Sequence, residues 1–483
     1  MLATAAPVFR LPCEVIRQII ELGVDEELVE WDTRLYRRDL QSVASTCRTF
    51  RDVALSSSKV WALLSDDMWW EELDTYIQRS KKSLLSIRVR PGEYGEQQTS
   101  LDRHGRMTTV EFLEKVVPLS HRWKTIRITF EAIGRFSGTH SVLMKGLISR
   151  MADLELPLLS KLQIVHSNNE ATLGRGRNDP YSELRVYSTW STPWLRELIL
   201  HNRIPSPVPI FGGHLARCQM CFNIDDWKGA QNHHHDPFYP LAKFLRSQPS
   251  LEKLSLQLHD TGRTKTFVTW EEPIVMGRLK SLHLDSMLRG VKNNPIPAIV
   301  NSIEAPQMQR LNINVRTDSS FATESFFQFD RTYPSLENVT ISMRLHGDPR
   351  SVIRPVLFRK VLAAAPKLKL LTFDRMVCEF ISEKGPREDL ERELLPPLQF
   401  MNMHNCDSLT EEALARAMAL ICSRPYWGAS FLSRISECIR SDRRNPSSWI
   451  GSEKLLAYSE LDRVPRVCDL SVSRDAPYFL NQY

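Results

Sequence analysis

In Pro157-Leu158-Leu159-Ser160-Lys161-Leu162-Gln163-Ile164, a proline leads apolar residues two, five and seven positions later. The same spacing returns at Pro193 (Leu195, Leu198, Leu200), Pro249 (Leu251, Leu254, Leu256) and Pro306 (Met308, Leu311, Ile313). It returns again at Pro334 (Leu336, Val339, Ile341), Pro366 (Leu368, Leu371, Phe373) and Pro396 (Leu398, Met401, Met403). Two copies carry glycine instead, Gly213 with Leu215, Cys218 and Met220, and Gly277 with Leu279, Leu282 and Leu284. Two copies lack the breaker: Leu84, Ile87 and Val89, then Trp123, Ile126 and Ile128. From Leu251 onward the first apolar position recurs about every 30 residues, at 279, 308, 336, 368 and 398. Self-similarity at that period is the signature of a repeat architecture.

The last two apolar positions of each copy are two apart, so they share one side of a short strand while the residues between them face the other side. The leading proline cannot continue a helix and biases its neighbour towards extended backbone, which marks a switch from helix to strand. Segments of helical period lie between the strands. They are Ile296–Ile303, Pro355–Ala365, and Leu409–Ile421, where Thr410 is the expected N-cap and Glu411 and Glu412 suit the helix dipole. One strand and one helix cannot bury their apolar sides alone, but stacked neighbours can.

Residues 8–61 do not fit this pattern. Pro12 stands at a favoured first helical position, and Val15, Ile16, Ile19 and Ile20 fall on one helix face. A charged stretch follows, with Asp25, Glu26, Glu27 and Glu30 ahead of Arg34, Arg37 and Arg38, and reads as a solvated connector. A second helix then carries Leu40, Val43, Ala44, Cys47, Phe50 and Ala54, and Trp61 closes the segment.

The repeated strands resemble the leucine-rich repeat family over roughly residues 80–420. The family's Asn or Cys three residues after the last apolar strand position is met here by Cys406 alone; other copies have Arg203, His259, Met287, Arg316, Arg344 and Met376. The array is therefore expected to be irregular. The N-terminal segment resembles an F-box, on Leu11, Pro12 and Glu14, on Cys47-Arg48-Thr49-Phe50-Arg51-Asp52 followed by Val53-Ala54, and on Val60-Trp61. The stretch Leu73-Asp74-Thr75-Tyr76-Ile77-Gln78-Arg79-Ser80 with Leu84–Val89 resembles the segment joining F-box to repeats in many fungal F-box proteins.

Together the resemblances imply an α/β chain: a helical F-box over 8–61, a helical connector over 62–83, an irregular leucine-rich-repeat solenoid over 84–424, and a cap or tail over 425–483. The solenoid would carry a parallel sheet on its concave face. They imply the substrate receptor of an SCF (Skp–cullin–F-box) ubiquitin ligase, without catalytic residues of its own. Leu11, Pro12, Ile16, Leu40, Val43, Cys47 and Phe50 would dock on the Skp-type adaptor and, through it, on cullin. A protein substrate would meet the variable strand residues of the concave face, including Glu197, His201, Lys253, Gln257, His283, Asp285, Arg310, Asn312, Asn338, Asn402 and His404. The alternative is a leucine-rich-repeat scaffold whose N-terminal helices bind something outside the ubiquitin machinery.

Composition narrows the classes. With 42% hydrophobic and 25% charged residues, large-scale disorder is excluded. The net charge of +6 is small and interspersed, which argues against nucleic acid. No apolar run approaches the ~18 residues of a membrane span. Met1–Phe9 lacks a basic n-region and is broken by Pro7, so no signal peptide is expected. The 9 cysteines are read as reduced thiols of the cytoplasm or nucleus. Cys218 and Cys221 form C-x2-C, but adjacent His233, His234 and His235 lack the three-to-five spacing of zinc ligands, so neither metal nor cofactor is expected. Gly174-Arg175-Gly176-Arg177 lacks the strand, helix and Lys-Ser/Thr of a phosphate loop. Trp427, Phe431, Ile435 and Ile439 are spaced for a capping helix.

Overall fold

A computed structural model describes residues 11–23, 33–91, 107–130, 146–147, 149–166, 187, 189–201, 212–223, 239–260, 272–288, 295–317, 331–345, 361, 363–374, 400–404 and 432–436. The acidic run 25–30, the segment 174–177, the three histidines 233–235, the helix expected over 409–421, and Trp427, Phe431 and Ile439 lie outside them. The chain is α/β, with helices near the N-terminus and a large parallel sheet. It divides into two compact units, Met1–Ala216 and Arg217–Tyr483.

The first unit begins with three helices, α1 (Cys13–Gly23), α2 (Thr33–Thr46) and α3 (Arg48–Ser56), and a 3-10 turn, Ser58–Trp61. Pro12 caps α1 through its carbonyl, which accepts from the Val15 and Ile16 N–H groups at 3.0 and 3.1 Å. Two buried hydrogen bonds lock the helices onto the turn: the Tyr36 hydroxyl donates to the Val60 carbonyl at 2.7 Å, and the Trp61 indole donates to the Ala54 carbonyl at 2.9 Å. Five parallel strands follow, paired in chain order: β1 (Leu63–Ser65), β2 (Leu85–Val89), β3 (Trp123–Phe130), β4 (Lys161–His166) and β5 (Glu197–His201). Helix α4 (Trp70–Ser80) connects β1 to β2, and α5 (Thr109–Val116) precedes β3.

The sheet thus starts at Leu63, inside the stretch expected to be a helical connector, because Leu63–Ser65 pairs with Ser86–Arg88. In the weak copy at Leu84, Ile87 and Val89 are buried as its spacing requires, and only the first position is displaced by one residue. Leu84 is exposed and Leu85 is buried, and the β2–β3 register shifts between Leu85 and Ser86.

The second unit carries β6 (Arg217–Asn223), α6 (Tyr239–Arg246), β7 (Lys253–Asp260), β8 (Ile274–Val275), β9 (Ser281–Leu288), α7 (Pro295–Ser302), β10 (Ile303–Glu304), β11 (Arg310–Thr317), β12 (Asn338–Leu345), β13 (Leu370–Asp374), β14 (Phe400–His404) and β15 (Leu432–Ser436). The two-residue strands β8 and β10 form a small ladder of their own; the remaining strands pair in parallel and in chain order. Ile435 is therefore strand rather than capping helix: β15 completes the ladder on β14, with Ile435 opposite Met403. Of the segment Pro355–Ala365, Val361, Ala363 and Ala364 are helical.

The leading proline has a more specific place than a helix stop. It is the second residue of a β-turn closed by an N–H three residues after the turn's first carbonyl. Leu159 donates to Leu156, Leu251 to Gln248, Met308 to Ala305, Leu336 to Tyr333 and Leu368 to Ala365, at 3.1–3.3 Å. Proline's fixed φ suits that second position. The turn drops its last residue into the core, and the strand follows. The paired apolar strand positions, such as Leu254 and Leu256, Leu311 and Ile313, or Leu371 and Phe373, are at most 1% exposed. Each contributes about 1.5–3 kcal/mol of burial. In the first unit the glycine copy uses positive φ instead, +46° at Gly212 and +71° at Gly213, and a Cβ on Gly212 would meet the Pro193 carbonyl at 2.4 Å.

Candidate functional site

Two surfaces stand out, one in each unit. The first is helix α1. Ile16 and Ile20, one turn apart, are 1% and 4% exposed and pack into the helical core against α3 and the 3-10 turn. Val15, Ile19 and Leu22, which share the neighbouring stripe of the same helix, are 37%, 49% and 65% exposed. Pro12 extends that stripe by one turn and is exposed too. These residues form an exposed apolar ridge beside the stripe that the module's own packing buries.

Of the seven expected docking residues, Leu11, Val43, Cys47 and Phe50 are partly exposed and Pro12 is exposed. Ile16 and Leu40, each 1% exposed, belong to the core and are unavailable to a partner in this arrangement. The exposed apolar residues of α1 are instead Val15, Ile19 and Leu22, which the helical period alone could not separate from Ile16 and Ile20.

Glu21 on the inner side of α1 is held by the 3-10 turn. Burial works against its carboxylate, but hydrogen bonds from the Ser57 hydroxyl at 2.7 Å and the Lys59 ammonium at 3.0 Å outweigh it and keep its carboxyl below the usual range. These two bonds tie the C-terminal half of α1 to the start of the 3-10 turn.

The second surface is the polar face of the second unit's sheet. Strand parity places Lys253, Gln257, His283, Asp285, Arg310, Asn312 and Asn338 on this face, partly or fully exposed; Gln257, His283, Asp285 and Asn312 lie between buried neighbours, and Lys253, Arg310 and Asn338 each precede one. Register brings Lys253 level with Ser281, and Arg310 level with both Ser281 and Asn338. It sets His283 beside Asn312, and Gln257 beside Asp285. Asn402 and His404 are residues of β14, level with Thr372 and Asp374. In the first unit Glu197 and His201 occupy the outward positions of β5, and Glu197 pairs with Lys161 of the adjacent strand at 3.2 Å.

Five of the second unit's strands, β6, β7, β9, β11 and β12, run further than the motif indicated, which adds a row. Arg316 reaches Asp285 at 3.5 Å, and His259 and Cys221 lie close enough to Asp285 to feel its charge. Burial lowers the pKa of both His259 and His283, with Asp285 opposing, so both favour the neutral form. Burial, reinforced by Asp285, pushes the Cys221 thiol up to about 12. The row was readable only by continuing the two-residue alternation past Leu256, Leu284 and Ile313.

Cys218 and Cys221 cannot share a metal on β6. Residues three apart on a strand face opposite sides, and both thiols are buried. Among the described residues, no group of three or more His, Cys, Asp or Glu is placed to hold a metal ion. No described helix is long and apolar enough to cross a membrane. No known protein-family model matches the chain, and no curated protein matches it.

Proposed function

We propose that the chain is the substrate-recognition subunit of an SCF-type ubiquitin ligase, working in the cytoplasm or nucleus. The helical module, read as an F-box, docks on a Skp-type adaptor and through it on cullin. The sheet, read as an irregular leucine-rich-repeat solenoid, presents a protein substrate, and the chemistry is supplied elsewhere in the assembly. The observation that carries the reading is the exposed ridge Pro12-Val15-Ile19-Leu22 on the helix that opens with the Leu11-Pro12 signature. The Cys47–Asp52 stretch supports it, because it begins at the N-cap of α3 and leaves Cys47 and Phe50 partly exposed.

A pull-down from cell extract tests this. The wild-type chain should recover both the Skp-type adaptor and cullin. The double change Leu11→Ala/Pro12→Ala should cut adaptor recovery roughly tenfold with an unchanged circular dichroism spectrum. Failure of adaptor and cullin to co-purify with the wild-type chain would sink the ligase reading.

A further inference from the structure

The polar face of the second unit's sheet has an uneven charge distribution. Its first row runs across the strands as Arg217, Lys253, Ser281, Arg310 and Asn338. The three cations of that row are exposed. Among the described residues, none of the three has a carboxylate within ion-pair reach.

Other cations near the strand starts are treated differently. Just ahead of the strands, Lys280 pairs with Glu252 at 3.2 Å and Lys369 with Glu337 at 2.8 Å. In the first unit, the corresponding first row neutralises itself through Lys161 and Glu197. Asp285 is the one carboxylate among the described side chains of the second unit's polar face, and it is engaged by Arg316. The stripe Arg217-Lys253-Arg310 thus faces solvent with its charge uncompensated.

We infer that this stripe is a docking track for an extended, Asp/Glu-bearing polypeptide segment that lies across the strands. The inference rests on the reading of this face as the substrate side. Three inter-strand steps separate Arg217 from Arg310, roughly 14 Å at about 4.8 Å per step. An extended chain covers that distance in about four residues. Acidic side chains at positions i and i+4 of the segment, which point the same way, therefore meet the two ends of the track. The next row, Ser255, His283, Asn312 and Thr340, is partly exposed and offers hydroxyl, imidazole and amide groups to the segment's main chain. Duplex nucleic acid fits less well: its phosphates repeat about every 1.7 Å of axis, far more densely than three cations along this row.

The test is selection of a random decapeptide phage library on the purified full chain, without adaptor. Enrichment of peptides with Asp or Glu at i and i+4 is expected. That enrichment should vanish on Arg217→Ala/Lys253→Ala/Arg310→Ala, and persist on Lys280→Ala/Lys369→Ala, which removes only paired lysines. A synthetic copy of the leading peptide should lose at least tenfold in affinity to the triple variant, and bind more weakly as salt rises. Circular dichroism verifies that each variant is folded. Enrichment without acidic excess, or enrichment unchanged in the triple variant, would overturn the inference. So would a single-stranded 20-nucleotide DNA that binds as tightly as the peptide. Adaptor binding is read separately by pull-down, so loss of one activity leaves the other assignment standing.

Discussion

Asp66 follows the first strand of the sheet and is 7% exposed. Both its carboxylate oxygens accept from the Arg90 N–H, at 3.0 and 2.9 Å, and one accepts from the Thr109 hydroxyl at 2.9 Å. Burial dominates those bonds and raises its pKa from 3.8 to about 7. Between these values the folded chain holds a proton that the unfolded chain has released, so this group's contribution to stability falls as pH rises through that window. The full effect is at most about 4 kcal/mol. Urea unfolding at pH 5 and pH 8 of the wild type and Asp66→Asn should show a wild-type loss on going to pH 8 that the variant lacks; equal pH dependence in the two would refute the assignment. Nothing near Asp66 in the sequence announces this role, because its donors are Arg90 and Thr109. Arg37 makes the same point. It sits in the basic run that reads as a solvated connector, yet its guanidinium lies 2.8 Å from Asp67 and 3.1 Å from Glu72 with its side chain 11% exposed. Helix α2 starts at Thr33, so Tyr36, Arg37 and Leu40 turn inward together. Only tertiary structure brings the two carboxylates to it.

At the scale of elements, features with a local cause were legible. The proline-led strand starts were, because a fixed φ and three apolar offsets act within eight residues, although the β-turn that the proline occupies came only with the structure. Strand parity was too, and it separates the C-x2-C pair of β6 onto two faces. Cys218 and Cys221 are buried, and burial raises the pKa of both thiols, whereas Cys13 is exposed. Thiolate is the reactive form. Alkylation of the native chain followed by mass spectrometry should therefore label Cys13 rapidly and leave Cys218 and Cys221 unlabelled until denaturant is added; rapid native labelling of either would show that β6 is not held in this register. Less legible was where the strand pattern stops. Leu432–Ser436 carries apolar residues that also satisfy a helical period, and pairing with β14 decides for strand. Leu63–Ser65 is three residues long and acquires its identity from β2. Short apolar runs are ambiguous until a neighbour is known.

At the scale of the whole molecule, one chain carries a helical module with an apolar ridge and a parallel sheet whose polar face begins with a basic row. The ridge on α1 was only half legible. Helical period showed that Val15, Ile16, Ile19 and Ile20 share a face, but not that α3 and the 3-10 turn would claim Ile16 and Ile20 and leave Val15, Ile19 and Leu22 outward. That division supplies the sharpest variant. Val15→Glu/Ile19→Glu changes exposed positions, where substitutions usually cost within about 0.5 kcal/mol, so folding should survive while the ridge is lost. The decisive measurement is titration of the purified full chain with a purified Skp-type adaptor, read by calorimetry and light scattering. The account predicts a one-to-one complex with the wild type and at least a tenfold weaker one with Val15→Glu/Ile19→Glu at unchanged thermal stability. No complex with the wild type, or equal affinity in the variant, would contradict it.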